Sequence, residues 1–74
     1  MPLRVNIGRA SDADNFKNGL LSYFSNEVTA TVVDRSEGNT SVVINTKAGA
    51  RNDIEDRIKT YINGHGGYVV SGSL

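Results

Sequence analysis

His65 is the only imidazole in the sequence, and it lies within Gly64-His65-Gly66-Gly67. A nucleophilic mechanism needs a Ser, Cys or Thr held beside such a base. The flanking glycines leave the geometry around His65 undefined, the chain has no Cys, and no triad spacing is visible. A solvated turn residue is therefore the expected role of His65, and a proton-transfer group or metal ligand in a glycine-lined pocket is the sharper alternative. A metal centre needs about three or four ligands, and no spacing of His65 with Asp or Glu suggests one. Neither a metal nor a cofactor is expected, and the chain reads as a non-enzyme.

Carboxylates cluster at Asp12 with Asp14 and at Asp53 with Glu55 and Asp56. Both clusters open predicted helices, where negative side chains stabilise the positive end of the helix dipole, so their expected role is structural. Basic residues stand in the loops Gly8-Arg9-Ala10-Ser11 and Lys47-Ala48-Gly49-Ala50-Arg51-Asn52. Strands 1 and 3 are taken here as parallel neighbours, so both loops are expected to leave one end of the sheet. Arg9, Lys47 and Arg51 would then join helix N-termini in an anion-binding end. Neither loop carries the glycine spacing of a phosphate-binding motif.

The elements that would position these groups follow from periodicity. Leu3, Val5 and Ile7 alternate with Arg4 and Asn6, which predicts a strand with one buried face, ended by Gly8. Ser11 three residues before Asp14 resembles a capping box, and Phe16, Leu20, Tyr23 and Phe24 follow at helical spacing, which predicts a helix from about Ser11 to Ser25. Gly19 inside it is unfavourable unless the helix packs closely there. The β-branched runs Val28 to Val33 and Thr40 to Thr46 predict a hairpin closed over Arg35-Ser36-Glu37-Gly38-Asn39.

Ile54, Ile58, Tyr61 and Ile62 form one stripe of a second helix. Asn52 is its expected cap, and Asp53 with Arg57 and Glu55 with Lys59 are its i,i+4 pairs. Tyr68-Val69-Val70 predicts a short last strand, weakened by Gly72. Phe16, Tyr23, Phe24, Tyr61 and Tyr68 are expected in the core rather than in a ligand site.

Composition narrows the function classes. The sequence has 74 residues, which fits one domain over 1–74, and a chain so short buries only about 60% of its unfolded surface. Eight Lys and Arg balance eight Asp and Glu, so no net positive field draws the chain to phosphate backbones, which argues against a nucleic-acid partner. No apolar run approaches membrane-spanning length, and nothing after Met1-Pro2 resembles a signal peptide, so a cytoplasmic protein without membrane contact is expected. Asn39-Thr40-Ser41 matches a glycosylation acceptor, and without an export signal it reads as turn chemistry.

Strand-helix-strand crossovers joined by the hairpin predict an α+β, ferredoxin-like βαββαβ sandwich. Its four-stranded antiparallel sheet would have the order 4-1-3-2, with both helices on one face. The topology is similar to that of acylphosphatases, but their glycine-rich, Gln- and Phe-containing first loop is missing. Ferredoxin-like RNA-recognition domains display stacking aromatics on central strands. Here the open face would carry Arg4, Asn6, Ser41, Val43 and Asn45 instead.

A protein-protein interaction or oligomerisation module is therefore expected, of a kind suited to regulating or inhibiting a larger complex. Its partner would be another protein or itself. The interaction edge and face would comprise Val28, Thr29, Thr31, Val33 and Val43, with Ser41, Val69 and Ser71 on the same open face. The alternative is a binder of a small anion, nucleotide or nucleic acid at Arg9, Lys47 and Arg51.

Overall fold

The computed structural model describes residues 2–74. Its elements are β1 (Leu3–Gly8), α1 (Ala10–Phe24), β2 (Val28–Val33), β3 (Thr40–Thr46), α2 (Ile54–Gly64) and β4 (Val69–Gly72). The strands form one sheet in the order β2-β3-β1-β4, and every neighbouring pair is antiparallel. This is the ferredoxin-like βαββαβ arrangement.

Alternation decides which side of each strand is buried. Leu3 and Val5 on β1, Val28 on β2, and Val42 and Ile44 on β3 are all fully buried. They share the helix-facing side, because Leu3 pairs with Ile44 and Val5 with Val42. On α1 the i,i+4 line Phe16, Leu20 and Phe24, with Ala13, turns onto this layer, and on α2 the line is Ile54, Ile58 and Ile62. The expected i,i+4 pairs form on the outer side of α2, Asp53 with Arg57 at 2.9 Å and Glu55 with Lys59 at 3.1 Å.

Gly19 marks the seam between the helices. A Cβ there would lie 2.7 Å from the Tyr61 hydroxyl oxygen, so the close packing expected of a mid-helix glycine is present. At the other end of the fold, Gly72 has φ +79°, and a Cβ on it would lie 2.5 Å from the Pro2 carbonyl oxygen. That glycine lets β4 close against the start of β1 rather than weakening the strand out of the sheet.

Neither expected helix cap forms. Arg9 is the N-cap of α1 and Asp53 that of α2, each without a side-chain capping bond. The acidic residues three positions after Ser11 and Asn52, which would have completed the two capping boxes, are engaged elsewhere. Asp14 accepts two hydrogen bonds from Arg35 at 2.9 and 3.0 Å, and Glu55 accepts from the Leu74 backbone N–H at 2.6 Å.

Candidate interaction surface

The antiparallel pairing of β1 with β3 corrects one expectation. Gly8 lies opposite Thr40 while Leu3 lies opposite Ile44, so β1 ends where β3 begins. Arg9, after β1, therefore stands at the opposite end of the sheet from Lys47 and Arg51, after β3. The physical reason is the hairpin: it reverses β3 relative to β2, and the helical crossover makes β2 parallel to β1, so β3 must oppose both. The charges near Lys47 and Arg51 are also committed. Arg51 Nε and Nη2 clasp the Glu27 carboxylate at 2.8 and 2.7 Å, and Lys47 Nζ donates to the Ser25 carbonyl at 3.1 Å. Arg9, Lys47 and Arg51 do not form one cradle.

β2 is an edge strand, and its hydrogen-bond direction can be worked out. The Lys47 N–H donates to the Glu27 carbonyl at 2.8 Å, and the ladder continues from there with Val28 opposite Thr46. Alternate residues of an antiparallel ladder turn their N–H and C=O groups to opposite sides. Thr29, Thr31 and Val33 therefore direct theirs to β3, and Val28, Ala30 and Val32 direct theirs outward. Among the described residues, these three make no backbone hydrogen bond outside the sheet.

The strand is six residues long with no Lys, Pro or Gly, and its pairing with β3 runs without a register shift. Natural edges are usually blunted by such residues, by a bulge or by shortness. On the helix side, Ala30 and Val32, with Leu21 of α1, are only partly buried against the core.

The sheet face away from the helices carries Thr29, Thr31 and Val33 of β2, Ser41, Val43 and Asn45 of β3, Arg4 and Asn6 of β1, and Val69 and Ser71 of β4. The register aligns them in rows such as Thr31, Val43, Arg4, Ser71. Val69 is 68% exposed, but Ser41 is fully buried. Ser41 sits between Val33 and Asn6 in its row and donates its hydroxyl to Asn6 Oδ1 at 2.9 Å. Arg4 reaches across this face to Asp34, which holds the left-handed conformation at φ 53° where the chain leaves β2. Arg4, Asn6, Asp34, Arg35 and Asn39 line a shallow polar depression of about 730 Å³ beside the hairpin loop. The Arg4–Asp34 pair had no local sequence signal, since the residues are 30 positions apart.

A second concavity lies on the helix layer. Tyr23, Phe24, Tyr61 and His65 line a groove of about 400 Å³ between the C-terminal halves of α1 and α2. Phe16, Phe24, Tyr61 and Tyr68 lie at or near the core as expected, but Tyr23 is 73% exposed. It precedes Phe24 by one residue, about 100° around the helix from the buried line. His65 is exposed, as a turn residue would be, and its ring stacks on Tyr61 with centroids 3.9 Å apart. Its Nδ1 donates to the Tyr61 carbonyl at 2.9 Å, which leaves Nε2 the acceptor of the neutral ring.

No family model, curated protein or solved structure matches the chain.

Five ion pairs join charged side chains among the described residues. The Arg35 guanidinium holds Asp14 below the usual carboxylate range, and Arg51 does the same to Glu27. The Leu74 backbone N–H, followed by Lys59, lowers Glu55. Burial raises the Tyr61 phenol. Among the described residues, no group of three or more His, Cys, Asp and Glu is placed to hold a metal ion. No described helix is long and apolar enough to cross a membrane.

Proposed function

We propose that this chain is a protein-interaction module that binds by strand addition at β2, and that it acts by binding rather than by chemistry. The observation that carries the reading is the outer side of β2. It presents the N–H and C=O groups of Val28, Ala30 and Val32 in a regular, uncharged strand with none of the usual guards. An added strand would satisfy those groups, and the partly buried Ala30, Val32 and Leu21 would lose their remaining contact with water. The carboxylates support binding over catalysis. Asp14, Glu27 and Glu55 are each engaged by a cation and held in the anionic form, the opposite of what a general acid needs. A cytoplasmic regulator or inhibitor that docks on a larger assembly would use this kind of edge.

Amide hydrogen exchange tests the reading on any complex the protein forms. Protection should appear on binding at Val28, Ala30 and Val32, while Thr29, Thr31 and Val33 are already protected in the free chain by β3. A complex that protects the Tyr23–Tyr61 groove or the Arg4–Asp34 face, and leaves those three amides unchanged, would reject strand addition.

A further inference from the structure

Resting on the reading of β2 as a strand-addition edge, we propose that its occupant is a second copy of this chain, paired antiparallel about a two-fold axis at Ala30. The register follows from the direction of the free backbone groups. Two copies can pair only if outward-directed residues face outward-directed residues, so Val28, Ala30 and Val32 must meet one another. With the axis at Ala30, Val28 faces the partner's Val32 and Ala30 faces the partner's Ala30. All three residues are then paired within the strand.

Moving the axis to Thr31 would set Val28 against the partner's Asp34, which has left the strand at φ 53°. Moving it to Thr29 would set Val32 against the partner's Asn26, in the turn before β2. Each shift loses pairing that the Ala30 register keeps.

The side chains agree with that register on both faces. On the helix side, valine meets valine around a small residue at the axis, and Ala30 and Val32 are only partly buried in the free chain. On the open side, Thr29 meets the partner's Thr31 twice, a cross-strand pair that contributes favourably to sheets. The charges also fit. Val28–Val33 contains no charged residue, Glu27 falls opposite the partner's Val33, and Asp34 opposite the partner's Asn26, so no carboxylate faces its own copy. The formal net charge of the chain is zero, which leaves no net repulsion between copies. The product is a continuous eight-stranded sheet, which joins the two copies' four-stranded sheets with their helices on one side.

The absence of Cys from the sequence makes the register directly testable. Thr29 and Thr31 are exposed, so Thr29→Cys and Thr31→Cys should fold, which circular dichroism checks. In the Ala30 register these positions form a pair not joined by hydrogen bonds, with Cα atoms about 4.5 Å apart, inside the range a disulfide spans. Like positions of the two copies stand two residues out of register, beyond the roughly 7 Å limit.

Oxidation of an equimolar mixture should give mainly the mixed disulfide, while either variant alone stays largely reduced. Self-linked Thr31→Cys or Thr29→Cys would move the axis and overturn the Ala30 register. If the unmodified protein sediments as a single chain at millimolar concentration and no variant cross-links, the second copy is rejected. Strand addition then stands or falls separately, on whether a complex with a different protein protects Val28, Ala30 and Val32.

Discussion

The sheet has two edges, and they are built differently. β2 is six residues long, regular, and free of Lys, Pro and Gly. β4 has four residues and ends at Gly72 in a positive-φ conformation. The same alternation that turns Val28, Ala30 and Val32 outward on β2 turns Val70 and Gly72 outward on β4, because Val5 and Val70 are opposite one another and Val5 bonds to β3. One edge therefore offers a ladder without a register break, and the other a short stub that finishes on a glycine. Shortness and an irregular end are protection against pairing, and β4 has both while β2 has neither.

The largest expected effect separates the core that carries both edges from the edges themselves. Ile58 is fully buried on α2, and Ile58→Ala should lower stability by about 2–5 kcal/mol through lost contacts and the cavity left behind. Urea denaturation at a fixed concentration measures it. The fraction that remains folded should associate as before, so a midpoint barely moved would reject the packing of α2.

Proline breaks the comparison at its centre. Ala30→Pro removes a donor that points away from β3, so the monomer should keep its fold. Self-association should weaken about ten- to a hundred-fold, the worth of the two hydrogen bonds lost across the axis. Val70→Pro removes the matching outward donor of β4 and should leave association unchanged. Sedimentation equilibrium of both variants distinguishes the edges, and loss of association in Val70→Pro would assign the interface to β4.

Acid should loosen the anchoring at both ends of β2. Glu27, just before the strand, and Asp14, paired with Arg35 just after it, have folded-state pKa values below their ordinary 4.5 and 3.8. A depressed carboxylate contributes stability that is complete above its ordinary pKa and is lost as pH falls through the depressed value. Urea midpoints should therefore be level near pH 6 and drop below about pH 4. Glu27→Gln with Asp14→Asn should flatten that drop. An equal drop in both proteins would remove these pairs from the acid response.

Much of this arrangement was legible in the sequence. Leu3, Val5 and Ile7 alternate cleanly, and Ile54, Ile58 and Ile62 repeat at helical spacing with their Asp53–Arg57 and Glu55–Lys59 pairs, so local period named the elements and the chirality rules ordered them. What was not legible depends on long-range geometry. Asp14 looks like a capping residue until Arg35, 21 positions away, takes its carboxylate. Tyr23 belongs to an apolar stripe by spacing, yet one residue's rotation from Phe24 leaves it in water. The grouping of Arg9 with Lys47 and Arg51 failed because it took the neighbouring strands 1 and 3 as parallel, against the antiparallel sheet that the same topology requires. Ser41, expected on an exposed face, is fully buried and donates its hydroxyl to Asn6, 35 positions away.

The smallest expected effect lies at the helix seam. Gly19→Ala should raise helix propensity by about 1 kcal/mol, but its Cβ would lie 2.7 Å from the Tyr61 hydroxyl oxygen. The gain should appear only when Tyr61→Phe removes that atom, a coupling that a double-mutant cycle of unfolding free energies measures. Gly19 faces α2, away from the Asp14 side of α1, so dimerisation should be the same in all four proteins of the cycle.

Amide hydrogen exchange of the unmodified protein across a concentration series tests the difference between the edges most directly. Protection at Val28, Ala30 and Val32 should rise together as the protein is concentrated, while Val70 and Gly72 stay unprotected throughout. If the three β2 amides exchange at the same rate from micromolar to millimolar concentration, β2 does not pair with its own copy.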